Sequence, residues 1–80
     1  MGINARRFLI MKYKVKFAYP TQVFIIEANH YMEIIRNFEE LNKGFYVRDI
    51  RNYGRVIKCN VYDCFDKVTE KIKISYACHK

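Results

Sequence analysis

The sequence predicts an α+β fold, a two-layer sandwich. A largely antiparallel five-stranded sheet carries one helix on one face, in the order β-β-α-β-β-β. Three observations carry this expectation. From Lys12 to Tyr19 the residues alternate, with Tyr13, Val15, Phe17 and Tyr19 on one side and Lys12, Lys14, Lys16 and Ala18 on the other. That period of two belongs to a half-buried strand. Between Asn29 and Gly44 the period becomes helical, and after Gly44 it returns to two through three short runs parted by turn residues.

The chain of 80 residues reads as one domain, 1–80. A hydrophobic share of 51% is enough for a core and excludes the disordered class. Met11 is a second possible start that opens directly onto the alternating strand, so residues 1–10 read as a loosely ordered N-terminal arm or an upstream extension.

The first strand runs from about Leu9 to Tyr19. Pro20-Thr21 is a turn signal, because Pro pre-sets the first central turn position. Gln22–Ala28 is the second strand. A two-residue loop there pairs Phe17 with Phe24, Val15 with Ile26 and Tyr13 with Ala28. It also sets Lys14 opposite Glu27 and Ala18 opposite Val23. Asn29 is a favourable helix N-cap. Tyr31, Ile34, Ile35, Phe38 and Leu41 then form the apolar stripe of a helix. Glu33, Arg36, Asn37, Glu40 and Lys43 take the other side. Arg36–Glu40 and Glu39–Lys43 are spaced as i,i+4 pairs. Gly44 supplies the stop.

Phe45–Ile50 is the third strand, and Gly54 allows a left-handed turn within Arg51–Arg55. Val56–Phe65 is the fourth strand, Asp66-Lys67 a turn, and Val68–Cys78 the fifth. The loop lengths set Phe45 opposite Val61, Val47 opposite Cys59, Cys59 opposite Ile74 and Val61 opposite Ile72.

If the helix covers one face, Lys12, Lys14, Lys16, Tyr46, Arg48, Ile50, Val56, Lys58, Asn60, Tyr62, Thr69, Lys71, Lys73 and Ser75 point away from it. Glu27 is the one acid expected there. Asp49, Asp63 and Glu70 fall in phase with the core. The chain carries 15 basic and 8 acidic side chains, a net charge of +7, which favours polyanions or acidic proteins as partners. Cations hold phosphates and aromatic rings stack on unpaired bases. Lys12, Lys16, Tyr46, Arg48, Lys58, Tyr62, Lys71 and Lys73 are therefore the candidate nucleic-acid or partner-binding residues. The bland alternative is a solvated sheet face whose lysines block strand-to-strand aggregation. Val23, Ile25, Ile50 and Val56 also point outward, with Ile50 opposite Val56. Exposed apolar residues of this kind suit a protein interface, including one with a second copy.

Little in the sequence suggests catalysis, a metal or a cofactor. Cys59, Cys64, Cys78 and His79 lack the paired spacing of a structural zinc site, and an odd cysteine count argues against a disulfide framework. His30 and His79 have no context that sets either beside a thiol. Asp63 and Glu70 are expected to face each other as a solvated carboxylate pair. No phosphate loop or zinc-protease motif is present. No run approaches the roughly 18 apolar residues of a membrane span, and the short apolar run after Arg6 and Arg7 is no signal-peptide core. The expectation is a small non-enzymatic, cytoplasmic binding module, with no membrane and no small-molecule substrate. Its exposed sheet face contacts nucleic acid or a nucleoprotein. The alternative is a phage-type inhibitor or adaptor, possible as a homodimer, that blocks a host protein such as a defence nuclease by occlusion in the host cytoplasm. The Ile-, Lys-, Asn- and Tyr-rich composition of an AT-rich genome, and the size, suggest it.

Overall fold

The structure, a computed structural model, describes residues 10–77. The expected element order is present: β1 (Met11–Ala18), β2 (Thr21–Ala28), α1 (Tyr31–Leu41), β3 (Tyr46–Asn52), β4 (Val56–Tyr62) and β5 (Val68–Tyr76). The strands form one antiparallel sheet in the order β2-β1-β5-β4-β3. Pairing of β1 with β5 joins the first hairpin to the later meander, a connection that turn lengths alone could not reveal. The expected arm at residues 1–10, and Cys78 and His79, lie outside the described residues apart from Ile10.

Apolar rows cross the sheet on its helix side. Val15, Ile74 and Ile57 are successive partners on β1, β5 and β4, and all three are fully buried. Phe17, Ile72 and Cys59 form the next row. Ile34 and Ile35 of α1 close this layer from above, and the helix touches β2 and β3, the two edge strands. Each fully buried aliphatic side chain stabilises the fold by about 1.5–3 kcal/mol, so this one layer is the main source of stability in so small a chain.

Several local expectations are corrected. The first hairpin pairs Ala18 with Thr21, so its loop is Tyr19-Pro20, with a cis peptide bond, and not Pro20-Thr21. The register therefore slides by two: Val15 faces Phe24, Tyr13 faces Ile26 and Met11 faces Ala28. A slide of two preserves the faces. Lys14 now faces Ile25, Lys12 faces Glu27, Lys16 faces Val23 and Ala18 faces Thr21. The β4–β5 pairing also slides by two, setting Cys59 opposite Ile72 and Val61 opposite Glu70.

The helix is capped by His30, whose Nδ1 accepts from the Met32 N–H at 3.1 Å, and not by Asn29. Asn29, one residue before the cap, instead donates its N–H to Glu33 at 2.9 Å. The Arg36–Glu40 and Glu39–Lys43 ion pairs do not form: among the described residues the one ion pair is Arg48–Asp66. Glu39 accepts the Val47 N–H at 2.9 Å and so ties the helix to β3. Leu41, expected on the core stripe, is the last residue of the helix and is 84% exposed, and Gly44 follows at φ +93°.

A cationic row across the sheet

On the face opposite the helix, the same pairing aligns charge. Lys16 on β1 is the partner of Lys73 on β5, Lys73 of Lys58 on β4, and Lys58 of Arg51 on β3. Four cations thus stand side by side on four adjacent strands, a row of about 14 Å at the usual strand spacing. Lys71 and Arg48 flank it through Asn60, and Lys14 lies in the row beyond, next to Ser75. Like charges directly opposite in an antiparallel pair are destabilising. None of the row's four side chains has a carboxylate within ion-pair distance among the described residues.

The β3–β4 register is slid by two from expectation, with Val47 and not Phe45 opposite Val61, and Arg51 enters this row through a bulge in β3 where an unbroken register is expected. Arg48 pairs with Asn60 and Arg51 with Lys58, which leaves both Asp49 and Ile50 opposite Cys59. Asp49 takes the left-handed region at φ 59°, a conformation that Asp tolerates better than most residues. The extra residue inverts the alternation for the rest of β3 and turns Arg51 outward. It also corrects Asp49 itself. Expected on the core side, its carboxylate lies on the outer face, accepting from the Asn60 side-chain amide at 3.0 Å and from the Tyr62 hydroxyl. These hydrogen bonds, Tyr62 first, hold the Asp49 carboxyl below its ordinary range, and the same bond raises the Tyr62 hydroxyl. Ile50 does not face Val56, because the bulge sets it opposite Cys59.

The candidate binding residues therefore divide. Lys16, Lys58, Lys71 and Lys73 gather on the central strands. Tyr46, Arg48 and Tyr62 gather at the β3 end, where the Arg48 guanidinium lies 5.9 Å from the Tyr46 ring centre and 5.6 Å from that of Tyr62. Arg48 also donates to Asp66 at 3.3 Å, so this end is largely compensated by its own acids. Lys12 stands apart, opposite Glu27. Of the four apolar candidates, Val23 and Ile25 lie exposed on β2, while Ile50 and Val56 lie on β3 and β4; they form no single patch.

A concavity of about 420 Å³ opens over the row, lined among others by Lys16, Asp49, Arg51, Tyr53, Lys58 and Lys73. Tyr53, 60% exposed, lies with its ring centre 5.9 Å from the Lys58 ammonium. Arg51 and Tyr53 both fall within the turn that the sequence pattern predicts, so neither stands out as a site residue. The one sequence signal for them is Asp49, an acid that strands disfavour, in mid-strand.

The remaining acids serve the backbone. Asp63 and Glu70 do not face each other. Glu70 accepts the N–H groups of Ala18 at 2.8 Å and Tyr19 at 2.7 Å, fixing the first hairpin turn to β5. Asp63 accepts from Phe65 and Lys67 within its own turn. Cys59 is buried, which pushes its thiol up to about 11, and Cys64 is exposed. Among the described residues no three His, Cys, Asp or Glu side chains lie close enough to hold a metal ion, and no helix is long and apolar enough to cross a membrane. No family model, curated protein or solved structure matches the chain.

Proposed function

We propose that this chain is a non-enzymatic module that binds the phosphate backbone of nucleic acid across the outer face of its sheet. The alignment of Lys16, Lys73, Lys58 and Arg51 on adjacent strands carries the reading. Such a row lowers the stability of an already small fold, and a bound polyanion relieves that repulsion. Lys71 extends the cationic area. Tyr53 and Tyr46 are the exposed rings available for base stacking at its β3 end, whereas Tyr62 is held by Asp49. Replacing Lys58 and Lys73 by Glu removes binding to a labelled single-stranded oligonucleotide; unchanged affinity would sink the proposal.

A second reading, a small inhibitor or adaptor that occludes a host protein, is supported by the exposed apolar side chains of β2. A partner retained at high salt, together with no affinity for bare DNA or RNA, favours it over the first.

A further inference from the structure

The two edges of the sheet are built differently. β3 carries Arg48, Arg51 and the bulge at Asp49 and Ile50. Charge and a bulge both blunt an edge against pairing with another strand. β2, the opposite edge, is eight residues long and has no Pro, Lys, Arg or register shift. Along it Val23, Phe24 and Ile25 are 48%, 45% and 59% exposed, so the strand presents apolar surface on both faces. Among the described residues, no strand pairs with its outer side.

We propose that β2 pairs antiparallel with β2 of a second copy of this chain, about a two-fold axis through Phe24. Charge selects this edge. Each copy carries +7, and β2 is the one strand of the sheet without a basic residue, so it is the edge along which two copies approach with least repulsion. The sequence of β2 is also complementary to itself. Residues opposed in an antiparallel pair share a face, so a symmetric register is centred on one residue. Centring on Phe24 sets the two Phe24 rings opposite each other, Val23 opposite Ile25 twice, Gln22 opposite Ile26 and Thr21 opposite Glu27. Centring on Ile25 instead sets the Glu27 carboxylate against Val23.

The two-fold axis of such a pair stands normal to the sheet, so both cationic rows lie on the same side of one continuous sheet. Lys16 is level with Val23, so its two copies are three strand spacings apart across the sheet and two residues apart along it, about 16 Å. A polyanion lying across one row can continue onto the other.

Sedimentation equilibrium of the full chain in high salt, which screens the net charge, tests this. The expected mass is twice 9.7 kDa. Val23→Lys with Ile25→Lys returns the mass to that of one chain, with an unchanged far-ultraviolet spectrum. In a Cys64→Ser, Cys78→Ser background, Phe24→Cys cross-links two chains on mild oxidation and Ile25→Cys does not, because opposed residues lie within disulfide reach. A single-chain mass at every concentration overturns the proposal, as does a dimer that survives the double lysine variant or cross-links through Ile25→Cys alone. A truncation starting at Met11 that dimerises where the full chain does not assigns the edge to residues 1–10 and also overturns it. So does a monomer that retains a different protein at high salt through Val23 and Ile25. The dimer strengthens with salt while nucleic-acid binding weakens, so the two proposals fail separately.

Discussion

Lys58 and Lys73 face each other across β4 and β5, each with a further cation on its far side. A fold selected for stability alone gains from breaking this pair. Lys73→Thr and Lys58→Thr are each expected to stabilise the protein by about 0.2–1 kcal/mol, the range of a cross-strand pair. Both are expected to weaken binding to polyanions. Urea denaturation checks the first effect and an oligonucleotide titration the second. A variant that loses stability removes the conflict between fold and binding on which the functional proposal stands.

Among the described residues, Asp49 is the one carboxylate lining the concavity over the row. Asp49→Asn keeps a residue that tolerates the left-handed region and removes the negative charge, so it binds polyanions more tightly than the parent. Asp49→Ala must hold Ala at φ 59° and loses both cross-strand hydrogen bonds, so it shows a lower denaturation midpoint than Asp49→Asn.

The pH dependence at this site has a definite sign. Asp49 has a folded pKa below its ordinary value of 3.8, so its contribution is present above that value and is lost as pH falls through the folded pKa. Tyr62 is raised above 10.0, so its contribution is present below that value and lost as pH rises through its folded pKa. Melting curves of the parent and of Asp49→Asn converge at the acid end if this bond is the source.

Glu70 joins β5 to the turn of the first hairpin through two backbone N–H groups. Glu70→Ala removes the acceptor of both donors, which water can partly replace, and is expected to cost about 0.5–1.5 kcal/mol. Glu70→Gln retains an acceptor oxygen and costs less. Amide exchange at Ala18 and Tyr19 locates the effect: it speeds there first if the carboxylate fixes the turn.

The two described thiols are expected to separate by reactivity. In a Cys78→Ser background, Cys64 reacts with a disulfide reagent at once and Cys59 only as the protein opens, since burial both shields it and disfavours its thiolate. Stability contributed by the protonated Cys59 is present below its ordinary value of 9.0 and is lost as pH rises toward about 11.

Patterns of period two and 3.6 suffice for the elements and the two faces, because burial enforces both. Tyr13 and Val15 are buried beneath the helix, and Lys12, Lys14 and Lys16 face outward, as the alternation requires. Registers are less legible. The slide at Tyr19-Pro20 changes every partner while leaving every face intact, so apolar matching cannot detect it. Lys16, Lys58 and Lys73 stand out as candidates in the sequence, but their alignment depends on β1 lying next to β5, a long-range contact without a local signature. Arg51 escapes the pattern because a bulge adds one residue to a strand, and only the misplaced acid Asp49 hints at it.

The central claim is most directly tested by the salt dependence of single-stranded oligonucleotide binding. Four aligned cations predict a slope of about −3 for log affinity against log salt, taking ~0.7 per phosphate contact. Lys58→Thr with Lys73→Thr is expected to reduce it to about −1.4. A slope unchanged by that double replacement, or no binding at low salt, would contradict the account.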